Sequence, residues 1–248
     1  MASGSTGVHG ERPVSLRAIG LGKDYGDRPA VRSVDLEVLA GERVVLVGHN
    51  GSGKTTLLRL AAGLLEPTSG EIRIGSAKAG SLLARRAVSW LPDSPTFYDD
   101  LSLWEHLEYV ARLHGTVDWE PRAGRLVTVL GLEARRDDLP TTFSRGLRQK
   151  ASIALGMVRS SDVVLIDEPF VGLDSAGKEA LLEMLAGASE SGATVLVATH
   201  ELSFVHTVSR ITALRDGRLV HDGPAGDIDT DRLVRTEDPA GEHDGERQ

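Results

Sequence analysis

Residues 44–56 read Val-Val-Leu-Val-Gly-His-Asn-Gly-Ser-Gly-Lys-Thr-Thr, and this stretch decides the fold. An apolar run of strand length, Arg43–Val47, stops at a glycine-rich turn that leads into a helical pattern. Residues 48–55 match the spacing G-x-x-x-x-G-K-[ST]. Glycines let the backbone curve around an anion with its N–H groups pointing inward, and the helix N-terminus adds positive dipole there. The stretch therefore predicts a loop that binds the phosphates of a nucleotide.

The composition limits what else the chain can do. With 248 residues it is long enough for one α/β domain, or for a core with an inserted subdomain. Its net charge of −8 argues against a nucleic-acid partner, whose backbone attracts clustered lysines and arginines. It has no cysteine, which excludes disulfides and thiolate metal sites. No apolar stretch reaches the ~18 residues needed to span a bilayer, so a membrane role requires another chain.

The start of the chain predicts a tail and then two strands. Residues 1–13 are small and polar, without the apolar segment of a secretory signal, and we expect them to be flexible. Period-two alternation at residues 14–18 and 34–38 predicts strands with one solvent-facing side. Residues 22–27 predict a turn between them.

The middle of the chain changes from alternation to helical spacing, which predicts a mostly helical insert at about residues 94–159. Ser102 and Glu105 form a capping box ahead of its first helix. Pro121 is expected to open a second helix, and a third begins near Ser144.

The last third of the chain returns to strands. Residues 163–166 and 194–198 are apolar on both faces, as expected for central strands of a covered sheet. Asp216-Gly217 predicts a hairpin. Residues 226–248 form an acidic segment without periodicity, for which we expect a second flexible tail.

Polar side chains follow both central strands. In open α/β sheets ligands collect at the carboxyl edge, where Asp167 and Glu168 end one strand and His200 ends the other. Alone, two carboxylates before a proline fit an ordinary turn equally well. Next to a phosphate-binding loop, the first would hold Mg²⁺ and the second would orient or deprotonate water. His200 would contact a γ-phosphate or position Glu168.

A resemblance emerges when the motifs are read in order: Tyr25, residues 48–55, Ser-Arg-Gly-Leu-Arg-Gln at 144–149, residues 163–168, Gly-Leu-Asp at 172–174 and Thr199-His200. The set spans roughly residues 14–225 and resembles the ATP-binding subunit of an ABC transporter. The stretch Phe97–Tyr109 and the signature Ser-Arg-Gly-Leu-Arg at 144–148 look most similar to exporter subunits encoded separately from their permease.

The resemblance implies a fold and a set of roles. The fold would be α/β, a P-loop NTPase (RecA-like) core with an antiparallel β-subdomain and an inserted α-helical subdomain. The cofactors would be ATP and Mg²⁺, with Glu168, His200 and Lys54 in catalysis and Thr55 and Asp167 on the metal. The ATP-binding residues would be Tyr25, which stacks on adenine, with Gly48, His49, Asn50, Gly51, Ser52, Gly53, Lys54, Thr55 and Thr56.

The resemblance also implies partners. The signature residues Ser144, Arg145, Gly146 and Leu147 would act in trans, on the ATP held by a second subunit, with Asp174 at the contact between subunits. A helix N-terminus suits such an anion contact. The pair would close on ATP and drive a separate membrane permease. The subunit would then be cytoplasmic and peripheral, attached to the membrane through that permease.

Two positions depart from the family pattern. Asp93 stands where the family usually has glutamine, and could serve as a Mg²⁺ ligand while adding negative charge near the γ-phosphate. Arg145 replaces a glycine of the signature.

Two alternatives to a transporter subunit stay open. One is a nucleic-acid- or ribosome-associated ATPase of the same superfamily, which the acidic charge disfavours. The other is a nucleotide-binding switch with little hydrolysis.

Overall fold

The computed structural model describes residues 12–201 and 208–227. Most of the two predicted tails, 1–13 and 226–248, lies outside these residues. In chain order the strands are β1 Val14–Tyr25, β2 Arg28–Leu39, β3 Arg43–Val47, β4 Ser69–Ile74, β5 Ala77–Lys78, β6 Val88–Leu91, β7 Val163–Asp167, β8 Thr194–Thr199, β9 Arg210–Arg215 and β10 Arg218–Pro224. The helices are α1 Lys54–Ala61, α2 Leu82–Ala87, α3 Leu103–Leu113, α4 Trp119–Val129, α5 Arg145–Met157 and α6 Ser175–Glu190, with 3₁₀ turns at Glu133–Arg135, Pro140–Thr142 and Ala225–Asp227.

The core sheet has the order β10-β9-β3-β8-β7-β6. Its strands from β9 to β6 run parallel, and β7 and β8 are buried along their whole length, which explains why they are apolar on both faces. Val47 pairs with Thr199 and Asp167 pairs with Ala198. This register brings the carboxyl ends of β3, β7 and β8 to one edge, beside the glycine-rich loop.

A second, antiparallel sheet has the order β2-β1-β4-β5. The turn predicted at residues 22–27 is wrong in extent, because β1 continues through Tyr25 and only Gly26 and Asp27 separate it from β2. Lys23 pairs with Val31 despite a register shift at this end of the sheet. Cross-strand pairing has thus overridden the turn-like composition.

The helices of the predicted insert are confirmed. Ser102 and Glu105 make the reciprocal capping box before α3. Helix α4 begins at Trp119, so that Pro121 lies inside its first turn instead of opening it. Apolar residues of α3, α4 and α5 join those of β3, β7 and β8 in one buried cluster, which fixes the helices against the core sheet.

The hairpin predicted at Asp216-Gly217 joins β9 to β10. Both residues have positive φ, 50° and 77°, as a type I′ turn requires. Among the described residues no helix combines the length and the apolar character needed to cross a membrane.

Candidate functional site

The glycine-rich loop joins β3 to α1 and is held by close backbone contacts. A Cβ on Gly48 would lie 2.3 Å from the Leu214 carbonyl oxygen, and one on Gly53 would lie 2.4 Å from that of Ala30. Gly53, the N-cap of α1, also has a φ of 107°. Only glycine fits these positions without displacing a neighbouring strand.

The remaining loop residues differ in exposure. Ser52 is fully buried, and its carbonyl accepts a hydrogen bond from Gly217 N at 2.9 Å. The His49 ring approaches the Asn50 carbonyl at 2.8 Å. Asn50 and Gly51 are exposed at the tip, whereas Thr56 is half-buried in the first turn of α1.

Lys54 is only 5% exposed, and its ammonium lies over the loop. Nζ donates to the Gly48 carbonyl at 2.8 Å and to the His49 carbonyl at 3.3 Å. It lies 3.9 Å from Glu168 Oε1. Burial lowers the pKa of Lys54, and the negative charges of Glu168 and Asp167 oppose this shift. The loop and the end of β7 therefore share one buried cation.

Asp167 is 2% exposed at the end of β7. Burial raises the pKa of its carboxyl, and hydrogen bonding from Thr55 opposes the rise. The charges of Glu168 and Asp93 raise this pKa further. Asp167 Oδ1 is buried without a hydrogen-bond partner in the described part of the chain. A buried carboxylate with an unsatisfied oxygen beside a threonine hydroxyl fits a divalent cation.

The described residues contain no cluster of three or more His, Cys, Asp or Glu side chains arranged around a metal. Asp93 is exposed in the loop after β6, where its Oδ2 accepts from the Ser94 hydroxyl at 3.3 Å.

Glu168 adopts a left-handed backbone with φ 47°, which is uncommon for a residue with a side chain. Its backbone N–H donates to the Ala198 carbonyl at 2.8 Å. Its Oε2 accepts from His200 Nδ1 at 2.9 Å and from His200 N at 3.3 Å. The structure therefore brings Glu168, His200 and Lys54 together at one edge of the core sheet.

Tyr25 lies at the end of β1 in the antiparallel sheet and is half exposed. Lys23 Nζ lies 5.6 Å from the centroid of its ring. An exposed ring with one face near a cation is available for stacking, as the resemblance to ABC subunits requires of Tyr25.

The signature residues begin α5. Ser144 is the N-cap, and its hydroxyl accepts from Leu147 N at a long 3.4 Å. Ser144 and Arg145 are exposed, and Leu147 is half-buried. A Cβ on Gly146 would lie 2.5 Å from the Gly172 carbonyl oxygen, so only glycine allows this approach. The signature therefore has an exposed start, Ser144 and Arg145, followed by a glycine packed against the Gly172 carbonyl.

These strands, loops and helices match known proteins. The family model described as ABC transporter matches residues 31–171, more than half of the chain. The chain belongs to the ABC transporter family. As an ABC cassette it is 33% identical over 204 residues to the uncharacterized ABC transporter ATP-binding protein YthP of Bacillus subtilis, covering 81% of this chain and 83% of that protein. It is 34% identical to the SkfA peptide export ATP-binding protein SkfE of the same organism, covering 82% and 86%.

Solved structures agree with this assignment. The ATP-binding subunit of an ABC transporter superposes with a TM-score of 0.81 at 32% identity, covering 84% of this cassette and 89% of that chain. A dimeric bacterial ABC transporter cassette gives 0.79 at 26% identity, covering 86% and 100%. The predicted family and the P-loop α/β fold are therefore confirmed. The cassette belongs to a family of ATP-binding transporter subunits.

Two contacts near the signature have no counterpart in the sequence prediction. Lys150 Nζ lies 3.0 Å from Asp174 Oδ1, which ties α5 to the N-cap of α6. Hydrogen bonding from Lys150 lowers the pKa of Asp174. Gln149, only 4% exposed, donates Nε2 to the Pro169 carbonyl at 3.3 Å. Helical spacing places Gln149 and Lys150 on α5, but pairing them required the packing of α5 on the segment after β7.

Proposed function

We propose that this ABC cassette binds Mg-ATP, hydrolyses it and powers a separate membrane permease through a pair of subunits that closes on ATP. Glu168 carries the proposal. Its carboxylate accepts from His200 Nδ1 at 2.9 Å and has its other oxygen 3.9 Å from Lys54 Nζ. A non-glycine residue held in a left-handed conformation costs about 1–3 kcal/mol, and such strain clusters at functional sites.

Binding would use the loop backbone and Lys54. The N–H groups of residues 48–55 and the start of α1 would surround the phosphates. Lys54 would exchange its two carbonyl contacts for the β- and γ-phosphates, which are stronger, charged acceptors. Thr55 and Asp167 would hold Mg²⁺, which neutralises charge on the phosphates when it is bound. Tyr25 would support adenine.

Hydrolysis would use Glu168 as the base that orients or deprotonates water. His200 Nδ1 donates to Oε2, which leaves Oε1 to accept a proton. With Nδ1 engaged in this way, Nε2 of His200 would donate to the γ-phosphate only from a doubly protonated ring, in which both nitrogens carry a proton. The His200 side chain is 49% exposed, so a ligand can approach it while Nδ1 keeps its contact with Glu168.

Closure in a pair would use the signature. Because Ser144 and Arg145 are exposed at the N-terminus of α5, they suit an anion brought by a second copy. Asp174 would lie near this contact. A dimeric cassette among the similar solved structures supports the arrangement. Loss of the γ-phosphate would remove the bridge between the copies and shift the pair toward the open state.

The permease is inferred from the relatives. SkfE is named for peptide export, and a protein 32% identical to this cassette, SsuB 2 of Pseudomonas aeruginosa, for import of aliphatic sulfonates. We propose residues 14–225 as the ATP-binding domain and a cytoplasmic position on the membrane face through the permease. The signature favours export.

Replacing Glu168 by glutamine tests the proposal most directly. Glu168→Gln keeps an oxygen to accept from His200 but removes the base, so the ATPase rate should fall about 10²–10⁴-fold. ATP binding should persist, and a dimer should accumulate in Mg-ATP, as measured by light scattering. Glu183→Gln, on the exposed side of α6, is the matched control and should hydrolyse ATP normally. A Glu168→Gln protein that stays monomeric with Mg-ATP contradicts the closing pair.

The second candidate function is a nucleotide-dependent switch with little turnover. Asp93 favours it, because its charge already raises the pKa of Asp167 and would also repel a γ-phosphate nearby. A cassette that binds Mg-ATP and dimerises, yet shows no hydrolysis above that of Glu168→Gln, would establish the switch.

A further inference from the structure

A cavity of about 670 Å³ is lined by no residue of the glycine-rich loop. Its wall includes the start of β7, where Asp162 and Val164 line it, whereas Asp167 ends the same strand. At about 3.3 Å per residue, the three residues from Val164 to Asp167 separate the cavity from the Asp167 edge by roughly 10 Å. Residues of α4 and the end of α5 form one side, and the end of α6 forms the other. The cavity therefore lies between the helical insert and the core sheet.

The charge of this cavity is opposite to that of the chain. Its charged lining residues are four arginines and one aspartate, Arg86, Arg122, Arg125, Arg159 and Asp162, in a protein of net charge −8. Such a concentration of guanidinium groups on a concave surface focuses a positive potential into it.

Two of the arginines have structural partners. Arg122 Nε donates to the Met157 carbonyl at 2.7 Å and its NH1 to the Ser160 hydroxyl at 3.1 Å. Arg159 donates to the carbonyls of Arg86 and Val88 at the end of α2. Arg122 and Arg159 therefore cap helix ends, and their guanidinium groups hold fixed positive charge in the cavity wall.

The other two arginines lack such partners. The side chains of Arg86 and Arg125 are exposed, and neither makes a hydrogen bond or ion pair with any residue that the structure describes. Burial lowers the pKa of Arg122, and the positive charge of Arg125 lowers it further. Helix capping thus explains Arg122 and Arg159 but leaves the placement of Arg86 and Arg125 unexplained.

Part of the wall is apolar. Met157, Met184 and Val164 line the cavity beside the arginines. Methionine side chains adapt their shape to a bound group. A volume of this size lies within the roughly 300–1,000 Å³ of small-molecule sites, which combine an apolar wall with a few polar groups.

We propose that the cavity binds a small organic phosphate, with the phosphoryl group on Arg86 and Arg125 and the organic part against the methionines. Guanidinium groups bind phosphate oxygens in a planar, two-pronged geometry, which two unpaired arginines can supply. A ligand here would touch both α4 of the insert and α6 of the core, so it would link the two parts of the cassette at a place remote from ATP.

Phenyl phosphate is the probe, because it carries one phosphoryl group and one apolar ring. Binding to the full chain should be measurable by isothermal titration calorimetry. The double variant Arg86→Gln/Arg125→Gln should bind it about 10²-fold more weakly, since each guanidinium supplies a charged hydrogen bond. The matched control is Arg59→Gln/Arg218→Gln, which removes two exposed arginines outside the cavity and should bind like the parent.

Lys54→Ala separates this site from the glycine-rich loop, and phenyl phosphate should bind that variant with unchanged affinity. Loss of binding in Lys54→Ala together with retention in the double arginine variant would overturn the inference, because the probe would then occupy the loop. Inorganic phosphate should bind at least about tenfold more weakly than phenyl phosphate, as the buried ring area predicts. Equal affinities would refute the organic part, and absence of millimolar binding would refute the site.

Discussion

Two glycine-containing turns of this cassette face anions in the proposed function, and they are built differently. The loop at residues 48–55 is packed from inside the chain, with Ser52 fully buried and Lys54 bound to two loop carbonyls. The signature at the start of α5 is exposed, and its cap from Ser144 to Leu147 N is a long 3.4 Å. The loop therefore has its contacts within one chain, whereas the signature begins with two exposed residues, Ser144 and Arg145.

The glycines of the two turns share a steric role but serve different ends. A Cβ on Gly53 would lie 2.4 Å from the Ala30 carbonyl oxygen, so this glycine lets the loop take the shape proposed to bind phosphate. Gly146 approaches the Gly172 carbonyl, which sets where α5 begins. Substitutions in the loop should therefore abolish ATP binding, and substitutions in the signature should spare binding and reduce turnover.

The largest effect is expected at Lys54. Lys54→Ala should weaken ATP binding by about 10²-fold or more, because it removes the buried cation of the site. Equilibrium binding of a fluorescent ATP analogue measures this. Lys78→Ala, on the exposed end of β5, is the control and should bind normally. Near-normal affinity in Lys54→Ala would mean that the loop does not hold the phosphates.

The next effect tests the signature. Gly146→Ala places a Cβ 2.5 Å from the Gly172 carbonyl, so the first turn of α5 must shift. Loss of an aligned anion contact should slow ATPase turnover about 10–10³-fold, while ATP binding to the monomer stays unchanged. Gly124→Ala on α4 is a matched control, since a Cβ there meets nothing within 4 Å. A weakened ATP affinity in folded Gly146→Ala would erase the distinction between the two turns.

The sequence predicted some features of the site well and others not at all. The loop is local, because strand, glycines, lysine and helix follow one another within residues 43–61, and its location followed directly. Asp167 and His200 come from distant segments, but parallel strands bring their carboxyl ends to one edge. The capping box before α3 was equally local. These features depend on short-range patterns or on a general rule of sheet topology.

Other features depend on packing that no pattern encodes. The left-handed backbone of Glu168 is set by the turn between β7 and the segment at Pro169. A glutamate does not favour this conformation, so the sequence could not predict it. The pairing of Lys150 with Asp174 joins two helices. The same limit explains why β1 extended through Tyr25, since the pairing of Lys23 with Val31 outweighed a local turn signal.

A smaller effect, on the free energy of unfolding, is expected at Asp167, which lies beside the loop. Asp167→Asn should raise the unfolding free energy of the nucleotide-free protein at neutral pH by about 0.5–2 kcal/mol, since it removes a buried charge. Because the folded-state pKa of Asp167 is raised, the penalty is absent below the unfolded pKa and grows as pH rises through the folded value. Urea unfolding at neutral pH and at about pH 3 should show the gain only at neutral pH. A gain at both values would point to packing instead.

The smallest effect is expected at Asp93. Asp93→Gln should leave ATP affinity nearly unchanged and speed ATPase turnover by about 1.5–5-fold, the range expected for an exposed, screened charge. Steady-state ATPase assays measure it, with Asp99→Asn as a control that removes an exposed aspartate of the same segment. An unchanged rate would make the position irrelevant to the chemistry.

The hydrogen bond from Gln149 Nε2 to the Pro169 carbonyl has a kinetic consequence. Gln149 lies one turn beyond Ser144 on α5, and Pro169 directly follows Glu168. In a pair, the signature of one copy would contact the ATP bound by its partner. The Gln149 hydrogen bond would transmit this contact to Glu168 of the same copy, which acts on that copy's own ATP. Hydrolysis at the two sites would then be cooperative, and ATPase velocity would rise sigmoidally with ATP concentration. The Hill coefficient would be above one in the parent and fall toward one in Gln149→Ala.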